Sequence, residues 1–154
     1  MSDEAVLCLG DLPRLDERFR MLVPEQPPPD ADALAAFLAQ VADGPVHVVA
    51  ESSLAGVACW LAIRFPHLVR RLVLARPACL TQDLVQRLGE IQAETLVVLD
   101  TRAAPLQAGQ VYQERIPRAY RFFVYAPSRL ASLIADFLLR GERFVVNTGE
   151  TRSW

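Results

Sequence analysis

The sequence predicts an α/β fold, a three-layer sandwich built on a mostly parallel sheet of about six strands. Two observations predict it. Short runs such as Ala5–Leu9 (AVLCL) and Val46–Ala50 (VHVVA) are apolar nearly throughout, instead of alternating apolar with polar. Such runs suit strands buried on both faces. Between them lie segments whose apolar residues recur at helical spacing. Right-handed crossovers leave few topologies for that alternation. At 154 residues, 52% hydrophobic and 22% charged, the chain is long and apolar enough for one domain with its own core. That domain is read over residues 1–146, with residues 147–154 as a flexible C-terminal tail.

Ala5–Leu9 is the first strand, ended by Gly10. Arg20–Val23 is the second, closed by Pro24. Gln26 and the three prolines after it exclude helix and read as an extended connector. Asp30 or Asp32 caps a helix over Ala33–Ala42, with Leu34, Phe37, Leu38 and Val41 on its apolar face. Gly44-Pro45 ends it. The strand Val46–Ala50 then runs through Glu51, Ser52 and Ser53 into a helix over Leu54–Phe65, and Arg71–Ala75 is the next strand. Thr81 caps a short helix to Leu88. Glu94–Leu99 is a strand, Gly109–Arg115 a helix and Arg121–Tyr125 a strand. Ser128–Leu139 is the last helix, with Ser128 as its cap and Gly141 as a left-handed stop.

Composition excludes several classes of function. A net charge of about −2 lacks the basic excess of a phosphate-reading surface, so nucleic acid is not an expected partner. No apolar stretch approaches the ~18 residues of a membrane span, and the acidic start is unlike a secretory signal. Three cysteines without CxxC spacing read as free thiols in a reducing compartment. A soluble cytoplasmic protein is the expectation. His47 reads as a half-buried strand residue and His67 as a solvated helix end. With no partner at ligand spacing neither is a metal ligand, and no cofactor is expected. Arg70-Arg71 and the charges of Arg140 to Arg143 read as solvated surface, and Trp60 as core.

A strand entering a small-residue turn and then a helix is how a reactive serine is presented at the top of a parallel sheet. In order and spacing, the chain resembles the α/β-hydrolase family over most of its length. Leu9-Gly10-Asp11 falls where that family has its oxyanion loop. Val48-Val49-Ala50-Glu51-Ser52 resembles its strand and nucleophile elbow. Arg64-Phe65-Pro66, then Val69 to Leu74, resembles the helix end and strand that follow, and this spacing aligns Ser52 rather than Ser53 with the nucleophile. Thr95–Leu99 resembles the strand before the acidic residue, and Ala135-Asp136-Phe137-Leu138 the last helix. The resemblance implies Ser52 as candidate nucleophile and the Gly10 and Ser53 amides as an oxyanion or ligand pocket.

The chain departs from the pattern at decisive places. The elbow is G-x-S-x-G, but here it reads Ala50, Glu51, Ser52, Ser53, Leu54. Leu54 is bulky for a tight turn, so an altered elbow geometry is expected. After Leu99, Asp100 comes early for the triad acid, and alanines precede Pro105. The histidine should lie between the last strand and last helix, where only Ala126-Pro127-Ser128-Arg129 stand. Of the two histidines, His47 lies five residues before Ser52, about 16 Å along a strand. His67 lies past the far end of the next helix, roughly 20 Å away. A general base must come within about 3 Å, or one water further. Glu51, just before the serine, points away from it in such turns, and Ser53 reads as a helix cap or backbone donor rather than a nucleophile. No insertion long enough for a cap domain stands between Ala75 and Glu94.

Three readings follow. The chain is a hydrolase-lineage protein without an intact Ser-His-Asp triad, binding a small acyl or carboxylate ligand or a protein partner. Or it is a serine hydrolase on small esters, with a nonstandard base or one from a second subunit. Or it is a structural or homo-oligomerising protein.

Overall fold

The computed structural model describes residues 4–10, 15, 18–26, 30–77, 81–100, 106–124 and 130–140. In chain order its elements are β1 (Glu4–Leu9), β2 (Phe19–Leu22), α1 (Ala31–Val41), β3 (Val46–Glu51), α2 (Leu54–Arg64) and β4 (Val69–Ala75). Then come α3 (Gln82–Arg87), β5 (Glu94–Asp100), α4 (Leu106–Arg115), β6 (Ala119–Val124) and α5 (Leu130–Arg140). Short 3-10 turns over Pro66–Leu68 and Leu88–Glu90 precede β4 and β5.

All six strands are parallel, in the order β2-β1-β3-β4-β5-β6. The apolar runs explain this arrangement. Alternate residues of each central strand feed two separate cores, one on each face. Leu7, Leu9, Val48, Ala50, Leu72, Leu74, Val97 and Leu99 face one core with α1 to α4. Val6, Cys8, Val49, Val73, Leu96 and Val98 face the other with Leu133, Ile134, Phe137 and Leu138 of α5. A strand apolar at every position is stable only when both faces are covered. Residues 76–93, between β4 and β5, contain α3 and one 3-10 turn, so no cap domain is inserted there.

Asp30 is the cap of α1, accepting from the Ala33 N–H at 2.8 Å, so the helix starts at Ala31. Asp32 pairs with Arg64 of α2 instead. Thr81 caps α3 through Leu84 N–H at 3.3 Å. Helix α4 starts three residues before the expected Gly109 and runs through it. Tyr112 and Ile116, both in the core, anchor the segment strongly enough to offset the cost of a helical glycine, about 1 kcal/mol.

Two expectations about charged and polar residues are corrected. His47 is fully buried, not half-buried. Arg71 is not solvated surface. It reaches Glu94 and donates from Nη1 to the Leu138 carbonyl at 2.8 Å. His47 sits on an inner strand, paired with Val6 of β1 and met by Phe19, and opposite it the β3–β4 register shifts by one residue between Val46 and Val48. Arg70 and Arg71 together oppose His47 there, and an extra residue in one strand turns neighbouring side chains apart. Arg70 stays exposed and pairs with Glu4 across β3. Arg140 is half-exposed and pairs with Asp136. Asp11, Cys79, the segment 101–105, the loop 126–129 with its Ser128 cap, the Gly141 stop and the tail 147–154 lie outside the described residues.

Candidate functional site

From β1 the chain moves outward to β2, then returns through α1 to β3 on the other side of β1. The crevice between the C-terminal ends of β1 and β3 is therefore a topological switch point, where open α/β sheets bind ligands. Leu9 pairs with Ala50 there, which sets Gly10 beside Glu51 and Ser52.

Ser52 sits in the left-handed region with φ 55. For a residue with a side chain that conformation costs about 1–2 kcal/mol, and strain of this kind collects at functional sites. Two backbone bonds hold it. Its N–H donates to the Ala75 carbonyl at 3.0 Å, and its carbonyl accepts from the Ala55 N–H at 3.1 Å. The side chain is exposed. Leu54, the first residue of α2, packs partly buried against the core. Ser53 stands at the N-cap of α2, yet its side chain makes no capping bond. Its backbone is already helical (φ −67, ψ −19), whereas a capping side chain needs an extended backbone to reach the N–H two or three residues on. Ser53 thus holds the N-cap position without a side-chain capping bond.

Gly10 has φ 111, a conformation suited to glycine. It is also pressed by its neighbour, since a Cβ there would stand 2.9 Å from Glu51 Cβ and 3.3 Å from Glu51 Oε1. Glu51 thus lies over Gly10, and it forms an ion pair with Arg76. Arg76 follows β4 directly and is the second non-glycine residue with positive φ, at 48. No sequence motif marks it. A basic residue at a strand end next to the elbow strand is the one available signal.

The histidines lie at the opposite, N-terminal end of the strands. His47 is the second residue of β3, five before Ser52, about 16 Å at strand rise. Its Nε2 is 3.1 Å from Glu4 Oε1, while Nδ1 has no hydrogen-bond partner among the described residues. Burial lowers its pKa, opposed by the hydrogen bond and charge of Glu4. His67 is exposed in the 3-10 turn after α2, with its ring edge-on to Phe65. Neither reaches Ser52. Burial also raises the Cys8 thiol to about 11 and the Cys59 thiol further, so neither is a thiolate nucleophile at neutral pH. Among the described residues no three His, Cys, Asp or Glu side chains come together as a metal site. No helix there is long and apolar enough to cross a membrane.

The parallel order, the left-handed serine between β3 and α2 and the strand–helix sequence are those of the α/β-hydrolase fold, which solved structures bear out. A predicted CIB-like hydrolase from Thermoplasma acidophilum superposes with TM-score 0.72 at 14% identity, over 88% of this chain and 86% of that one. A meta-cleavage product hydrolase, CumD, gives 0.73 at 12% identity over 90% and 92%. A putative lipase from Acinetobacter baumannii gives 0.70 at 10% identity over 95% and 86%. No protein-family model matches the sequence, and no curated protein matches it.

Proposed function

We propose that this chain is a non-catalytic protein of α/β-hydrolase fold that binds a small acyl or carboxylate ligand at the crest formed by Gly10, Ser52 and Ser53. One observation carries the reading. Both histidines of the sequence stand at the N-terminal end of the strands, opposite Ser52. In a serine hydrolase the imidazole takes the serine proton and passes it to the leaving group. Without such a base a serine hydroxyl is a weak nucleophile at neutral pH. The crest keeps features useful for binding: an exposed serine, an uncapped helix start and a glycine turn beside it. The first N–H groups of a helix have no intrahelical partner and favour an anion or a polarised carbonyl.

The left-handed turn at Ser52 favours a second reading, a serine ester hydrolase whose base comes from a nonstandard residue or a second subunit. Turnover of short-chain aryl esters, run beside Ser52→Ala and with fluorophosphonate labelling read by mass spectrometry, separates the two. The binding reading expects no turnover above the Ser52→Ala background and no label on a folded sample. Ser52-dependent turnover with a label on Ser52 overturns it.

A further inference from the structure

The binding reading leaves unused the pair that crosses the crest beside Ser52. Arg76 has a fixed backbone. Its N–H donates to the Val98 carbonyl at 2.8 Å, and the carbonyl of the preceding Ala75 accepts from Ser52 at 3.0 Å. The elbow after β3, the turn after β4 and strand β5 are thus tied in a row, and the guanidinium starts one residue from the bond that holds the serine. The Arg76 side chain is 44% exposed and meets Glu51 through Nη2, whereas Glu51 is 12% exposed. A guanidinium carries five N–H donors in a planar fork. The contact to Glu51 engages Nη2, and the remaining exposure leaves the guanidinium accessible from solvent beside Glu51 and Gly10.

We propose that Arg76 is the ligand-recognition residue of this crest, and that the ligand it selects is a small monocarboxylate. This inference rests on the binding reading and names the chemistry of that site. Three considerations favour a monocarboxylate. Two parallel N–H···O bonds from an arginine fork match the planar carboxylate. The α2 N-terminus, beginning just past Ser52, adds the positive end of a helix dipole on the same side. Glu51 offsets part of the charge of Arg76 and repels a dianion more strongly than a monoanion, which favours a monocarboxylate over phosphate. A neutral ester lacks the charge that the fork reads.

The test is titration of the folded protein with sodium butyrate, followed by amide chemical shifts, beside methyl butyrate and inorganic phosphate. Butyrate is expected to shift the amides around Gly10, Ser53 and Arg76, and to bind at least tenfold more tightly than either comparison compound. Arg76→Ala should weaken butyrate binding tenfold or more. Arg76→Lys, which keeps the charge and loses the fork, should weaken it by less. Glu51→Gln, which frees the guanidinium, should strengthen it severalfold. Circular dichroism shows whether each variant is folded, and Glu51→Gln tests the inference even if Arg76→Ala unfolds. Equal binding of butyrate and its methyl ester, tighter binding of phosphate, no binding by wild type, or weaker binding by Glu51→Gln overturns the proposal. Loss of Arg76 dependence without a fluorophosphonate label on Ser52 overturns this inference alone. A label on Ser52 with Arg76-dependent binding overturns the non-catalytic reading alone.

Discussion

His47 is a buried imidazole with one nitrogen facing Glu4 and the other unpaired among the described residues. The charged groups around it are Glu4 on β1 and Arg70 and Arg71 on β4, while Phe19 of β2 meets the ring edge-on. Burial is the largest influence and holds the folded-state pKa below 6.5, against the pull of Glu4. The unfolded chain therefore takes up the proton first as pH falls. The stability tied to this residue is fully present above pH 6.5 or so and is lost as pH drops through the unfolded pKa toward the lower folded one. The slope cannot exceed about 1.4 kcal/mol per pH unit for one proton. Urea unfolding between pH 7.5 and 5, beside His47→Gln, should show the wild-type advantage shrinking as pH falls. A constant difference would mean that the imidazole keeps the same pKa folded and unfolded. The sequence makes His47 visible as a strand residue but not its depth, because that comes from β1, β4 and Phe19 packing around an inner strand, which its own segment does not record.

At the scale of elements, the two adjacent arginines behave differently for a structural reason. Arg71 ties β4 to β5 through Glu94 and to the last turn of α5 through the Leu138 carbonyl. Helix α5 supplies Leu133, Ile134, Phe137 and Leu138 to the second core. A cation at a helix C-terminus also meets the negative end of its dipole. The Arg71 side chain is 26% exposed, so screening is partial. Replacing Arg71 with Ala should cost about 1–3 kcal/mol, the range for a lost charged hydrogen bond that leaves a partner unmet. Arg70 is half-exposed and pairs with a Glu4 already shared with His47. Arg70→Ala should cost under about 1 kcal/mol, as exposed pairs do. Chemical denaturation of both variants decides this, and equal losses would count against α5 being pinned through Arg71. The helices and strands themselves are legible in the sequence because doubly buried strands and capped helices carry local signals. The Asp30 and Thr81 caps fall where side chain and spacing place them. The start of α4 does not, because its core contacts at Tyr112 and Ile116, not its local propensity, set where it begins.

Over the whole molecule, a parallel sheet has chemically distinct ends. Ser52, Gly10, Glu51 and Arg76 gather at the C-terminal ends of the strands, while His47, Glu4 and Arg70 lie at the N-terminal ends. Spacing along one strand and one helix is enough to separate Ser52 from both histidines, so their distance from the serine is legible in the sequence itself. Arg76 is not, because its place beside Glu51 comes from the pairing of β3 with β4, and no motif in a single segment records that. This division of the sheet makes a prediction about the histidines as a pair. A chain carrying His47→Gln and His67→Gln contains no imidazole, yet it should hydrolyse p-nitrophenyl acetate at the wild-type rate, within the background of each sample. A rate that falls with His67→Gln alone would place the base in trans. His67 is exposed at the end of α2, too far from its own Ser52 to act within one chain, so a second copy would have to present it. That loss should then depend on protein concentration, and dilution below the association range should abolish it in the wild type as well. A rate no higher than the Ser52→Ala background, unchanged by dilution and by removal of both histidines, is the result expected of a crest that binds rather than turns over.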